Sequence, residues 1–145
     1  MLLQAEKKIL EEISRSSRVA QLEIQTLLSK VYSDELALDL NRQAARYSRI
    51  QEKAEEALIR EGERPEIVGV LDRSRRWASL QAETALNVST SHVAELFLRE
   101  EQKRLDGMMD IVREQGSLNR ETDEIAEELM DFEEENIRIL GTYLK

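Results

Sequence analysis

Apolar residues recur at steps of three and four along most of this chain. Ile9, Ile13, Ser17, Ala20, Ile24, Leu27 and Val31 share one face of a helix running from about Leu3 to Val31. Ser33 has the chemistry of an N-cap, and Asp34 and Glu35 suit the positive end of a second helix, which the pattern carries to about Glu61. The stripe of that helix is Leu36, Leu40, Ala44, Tyr47, Gln51, Ala54 and Leu58. Gly62 suits its stop, and Pro65 suits the first turn of the next helix.

From Pro65 to Gln115 the helical pattern does not break for about 50 residues, roughly 75 Å if straight, against roughly 42 Å for its neighbours. So long a rod would leave much of its apolar face without a partner. A break is expected near Ser89, Thr90 and Ser91, where small hydroxyl residues can cap a new helix. The first piece would bury Ile67, Val70, Leu71, Trp77 and Leu80; the second, Ala94, Leu98, Leu105, Met108 and Val112. Gly116 ends it, and Asn119 caps a last helix striped by Ile125, Leu129, Phe132, Asn136, Ile139 and Tyr143. Short connections at 32–34 and 116–119 make antiparallel neighbours, whereas residues about 65–90 read as a helical crossover along the bundle. The expected fold is all-α, one domain over residues 1–145: an antiparallel four-helix bundle of two helical hairpins joined by that long crossover. A faint internal repeat agrees, since SRVAQLEIQ from Ser17 resembles SHVAELFLR from Ser91, and Leu40-Asn41-Arg42 recurs as Leu118-Asn119-Arg120.

The chain has 145 residues, enough for a core without staples, and no cysteine, which removes disulfides, thiolate nucleophiles and cysteine-ligated metals. No apolar run reaches the roughly 20 residues of a membrane span, and acids interrupt the N-terminal MLLQAEKKILEEI, so a cytoplasmic protein without membrane association is expected. Of the net charge of −9, residues 119–145 carry −6, a surface that repels phosphate backbones and argues against nucleic acid. Arg42, Arg46, Arg49 and Lys53 form a basic stripe on the second helix, expected to lie beside an acidic helix of this chain or of a neighbour. Arg73, Arg75 and Arg76 beside Trp77 make a second basic cluster, a poor nucleic-acid platform with one aromatic, and Trp77 is expected in the core.

Two hairpins with a long crossover resemble the ferritin-like superfamily. NVSTSHVAELFLREE is similar to a third helix of small ferritin-like proteins, and ETDEIAEELMDFEEENIRILGTYL to a fourth, in which Glu is followed three residues later by His. The resemblance implies two iron or manganese ions held by a Glu from each of two helices and a Glu-x-x-His pair from each of the other two. This chain departs from that pattern. Glu133 is followed at three by Asn136, the second helix offers Tyr47 and Gln51 inward, and the lone His92 precedes Glu95. What survives as a candidate metal set is Glu23, beside the first stripe, Glu101, within the third, and Glu133. Inward acids need partners, because an isolated buried carboxylate is costly. Asn136 and Gln51 are expected as buried polar contacts that fix register.

With one histidine, no cysteine, no GxSxG elbow and no Gly-rich phosphate loop, no catalytic or cofactor-binding residue is assigned. His92 reads as a helix cap or an exposed contact, and adjacent helical positions keep Ser91 from pairing with it. The leading expectation is a non-catalytic interaction or assembly bundle, a homodimer or a partner of another helical protein. The alternative is a metal-dependent oxidase or iron-storage relative; a third reading is an adaptor that takes a basic peptide on its acidic last helix.

Overall fold

The computed structural model describes residues 2–65, 70–85 and 87–144, all of them helical or in connections, with no strand. Helix α1 spans Gln4–Leu27 and passes through a 3-10 turn, Leu28–Lys30, to α2, Asp34–Arg60. Helix α3 covers Val70–Thr84, α4 Thr90–Gln115 and α5 Arg120–Gly141. The boundaries have local causes. The Ser33 hydroxyl accepts from the Leu36 amide (3.1 Å), Ser89 from that of His92 (3.2 Å), and the Asn119 carbonyl oxygen from that of Thr122 (2.8 Å). Gly62 and Gly116 end α2 and α4 at φ of 79° and 72°, where a side chain would be strained.

The expected break is present: 85–89 separates α3 from α4, so the long stretch is two helices. Helix α3 ends at Thr84, short of the residue 90 expected, and the expected placements of Ile67, Val70 and Leu71 and the helix start near Pro65 lie outside the described residues or side chains. Trp77 is a correction. It is 58% exposed rather than in the core. On α3, Leu80 and Thr84 are buried, and Lys30 Nζ of the 3-10 turn donates to Thr84 Oγ1 (2.9 Å) and to Gln81. Three residues upstream of Leu80, Trp77 is not covered.

Cross-helix pairs give the order of packing. Along α1 and α2, Lys7 meets Glu63, Arg18 meets Glu55 and Gln21 meets Gln51, so one number rises as the other falls. Along α2 and α5 the same holds for Arg60–Glu121, Lys53–Glu128 and Tyr47–Glu133. Two members of the basic stripe of α2 lie against the acidic helix of their own chain, Arg46 and Lys53 both on Glu128 (3.5 and 2.6 Å), while Arg42 pairs with Asp39 of its own helix.

The core has two apolar parts. One gathers Ile9, Leu10, Ile13, Ile50, Leu58, Met108 and Leu129; the other gathers Ile24, Leu27, Leu36, Leu40, Val93, Phe97 and Leu140. The first part is closed by Glu6, which is 4% exposed. One of its oxygens accepts from the Leu3 amide (2.9 Å) and the other from the Asn119 amide (2.6 Å), so a single carboxylate serves the N-termini of α1 and α5. Replacing Glu6 by Ala should therefore destabilise the protein by about 1–3 kcal/mol, because it strips an acceptor from two helix starts. Urea denaturation reads this as a lower midpoint at unchanged slope; an unchanged midpoint would show that solvent replaces the carboxylate without loss.

Candidate functional site: a guanidinium among three carboxylates

Between the two apolar parts lies a polar layer to which each long helix contributes. On α1, Glu23 falls between Ala20 and Ile24; on α2, Tyr47 falls between Leu40 and Ile50. On α4, Glu101 and Arg104 fall between Phe97 and Met108, and on α5, Glu133 and Asn136 fall between Leu129 and Leu140. Spacings of three and four keep each of them on its helix's inward stripe. Glu23, Tyr47, Glu101, Glu133 and Asn136 are all buried, and the Arg104 side chain is 11% exposed.

The guanidinium of Arg104 is the common partner. Its Nη1 donates to Glu23 (2.7 Å), its Nη2 to Glu101 (2.9 Å), and its Nε lies 3.7 Å from Glu133. Glu23 also accepts from Arg76 of α3 (3.2 Å). The Tyr47 hydroxyl stands 2.5 Å from Glu101 and 2.9 Å from Glu133, with its ring edge-on to Phe132 (centroids 4.8 Å apart). The Arg104 guanidinium lies 5.8 Å from the centroid of the Tyr47 ring.

Three carboxylates around one guanidinium leave an excess of negative charge in a buried place. Burial first, and the Glu101 charge second, push the Glu133 carboxyl up to about 8, against the charge of Arg104 and the Tyr47 contact. Burial also raises Glu23, opposed by Arg104. The Tyr47 hydroxyl is held well above its ordinary value, by burial and then by Glu101, and stays protonated. The single phenolic proton is shared: the Tyr47 hydroxyl faces both Glu101 and Glu133 as donor. Glu101 Oε2, Glu133 Oε1, Arg104 Nε and Asn136 Nδ2 make no hydrogen bond among the described residues.

The three acids singled out as a candidate metal set, Glu23, Glu101 and Glu133, do come together. They meet on Arg104, which stands three residues after Glu101, the spacing at which the ferritin-like pattern places histidine. A guanidinium offers only N–H donors and a permanent positive charge, so it cannot ligate a cation and repels one. Among the described residues no group of three or more His, Cys, Asp or Glu is arranged to hold a metal ion. The donor set therefore does not fit iron or manganese. His92 is elsewhere, its Nε2 2.9 Å from the Glu83 carbonyl near the end of α3, an exposed contact that closes the helix end. Of the expected register contacts, Gln51 accepts from Gln21 (2.7 Å), while Asn136 is buried without a partner for its amide nitrogen.

Sequence reasoning missed Arg104, and it placed Arg76 in a basic cluster without its contact to Glu23. A signal for Arg104 existed: an inward Glu101 followed at three by a cation, with Leu105 and Met108 holding the face inward. No protein-family model, curated protein or solved structure matches this chain.

Arg104→Met leaves buried carboxylates without their counter-charge and should cost about 3–5 kcal/mol, read by chemical denaturation, with Glu101→Gln in the same chain recovering part of the loss. Stability should also depend on pH through Glu133. An unfolded Glu titrates near about 4.3, whereas folded Glu133 titrates at about 8, so between these values the folded state binds more protons. Glu133's contribution is complete below the unfolded value and is lost as pH rises to the folded one. Glu133→Gln, which cannot ionise, should gain stability relative to the parent chain as pH rises from 5 to about 8 and level off above it. A constant difference across that range would show that Glu133 titrates normally.

Proposed function

We propose that this chain is a non-catalytic interaction and assembly module: a ferritin-like bundle of two antiparallel hairpins and a crossover helix, degenerate in that an arginine-centred ion network stands where that superfamily holds metal. The observation that carries this reading is the contact of one guanidinium, Arg104, with Glu23, Glu101 and Glu133. The opposed residue order along α1 and α2 and along α2 and α5 supports the hairpin arrangement. The polar layer supports a structural role. It contains a base and an acid, but its members are committed to one another and buried. General acid–base chemistry needs a group within reach of a substrate proton.

Assembly is supported by apolar side chains left at the surface: Tyr32 beside the α1–α2 turn, and Leu38 and Ile59 on α2. The partner proposed is a second copy of this chain or another helical protein. The acidic surface of α5 disfavours nucleic acid, and none of the described helices is long and apolar enough to cross a membrane.

The test has two parts. Elemental analysis of protein purified without chelators should find no stoichiometric iron, manganese or zinc; about one ion per chain would replace this reading with the metal-binding one. Light scattering at high micromolar concentration should give a dimer, and a monomer there would remove the homodimer from the proposal.

A further inference from the structure

The seam between α1 and α3 holds a cleft of about 570 Å³. That size falls in the range of small-molecule sites. Its walls are Leu22 and Thr26 of α1 and Trp77 and Leu80 of α3, and the Thr26 hydroxyl is already used on the Leu22 carbonyl (2.7 Å), so the surface offered is largely hydrocarbon and indole. Two arginines of α3, Arg73 and Arg76, also line it. Arg73 has no ion pair among the described residues, and Arg76 uses one donor on Glu23 (3.2 Å), leaving the rest of its planar fork. The acid lining the cleft is Glu23, and it is shared between Arg76 and Arg104, so it does not cancel Arg73.

In a chain of net charge −9 this cleft is a local exception, lined by hydrocarbon and by two cations. A cation or a basic peptide would be repelled by the arginines, and a polar anion would gain nothing from the apolar walls. We propose that the cleft binds a small amphipathic monoanion, a carboxylate on an unbranched hydrocarbon chain. The hydrocarbon lies between Leu22, Trp77 and Leu80, and the carboxylate is taken by Arg73 and Arg76, the guanidinium fork matching its two oxygens. The cleft touches the buried polar layer at Glu23, and its occupation does not rest on the assembly reading.

Trp77 is the chain's single tryptophan and is 58% exposed at this cleft, so its emission reports occupancy. The experiment is a titration of the full chain with decanoate below its micellar concentration, followed by tryptophan fluorescence and calorimetry. The expected result is a saturable blue shift with one site per chain, weakened about tenfold in Arg73→Gln, the scale of one charge-assisted hydrogen bond. Decanol and decyltrimethylammonium should bind at least as weakly as decanoate binds that variant. Thr26→Phe, which fills the cleft from α1, should abolish the calorimetric signal while circular dichroism stays unchanged. No saturable response overturns the proposal, and so does a response unaltered by Arg73→Gln or matched by the neutral and cationic chains. A shift seen only with anionic vesicles would make α3 a membrane-surface helix instead. A shift that appears with protein concentration alone would mean that a second copy covers Trp77; either result overturns the small-ligand site.

Discussion

The charge of Arg104 is the constraint on which the centre of this bundle depends. A guanidinium inside a helical core is tolerated only when carboxylates reach it, and here they come from α1, α4 and α5. Each of those carboxylates has the converse need. Glu133 has the weakest hold on the guanidinium, and burial with the Glu101 charge pushes its carboxyl up to about 8. The members of the layer depend on one another for charge, and none can be changed without altering the protonation of another.

Such a layer decides alignment more than stability. Apolar stripes can slide past one another by a helical turn and still bury hydrocarbon. Sliding any one of α1, α4 or α5 here would set a carboxylate or the guanidinium against the leucines of either apolar part. The surface pairs between α2 and α5 act in the same sense but more weakly. Arg60 on Glu121 and Lys53 on Glu128 are exposed and screened, and they select which helix α2 faces without holding it there.

Features set by a few neighbouring residues were readable from the chain. Ser33, Ser89 and Asn119 cap their helices because an N-cap needs only a side-chain oxygen and the amide two or three residues on. The stripes of α1 and α2 were readable because period and burial coincide there, down to Tyr47 and Leu58. Glu23, Glu101 and Glu133 could be singled out as inward acids, but what they meet could not. The partner of Glu23 is 81 residues away, and nothing local distinguishes a buried arginine from the many arginines that lie on helix surfaces. Trp77 failed for a related reason. Its helix is amphipathic, yet how much of the face is covered depends on where α3 meets α1, and the contact falls at Leu80 and Thr84.

Glu23 is where the inside and the outside of the molecule join. One oxygen takes Arg104 from the buried layer, and the other takes Arg76 from the short helix on the surface. Among its described residues α3 buries only Leu80 and Thr84, so its attachment leans on polar contacts more than that of the long helices does. The Arg76 contact draws its strength from a carboxylate that burial and Arg104 oblige to be there. Any movement of α3 that withdraws Arg76 leaves Glu23 with one counter-charge fewer, which favours its protonation and loosens its hold on Arg104. The placement of α3 and the charge balance of the core are therefore coupled.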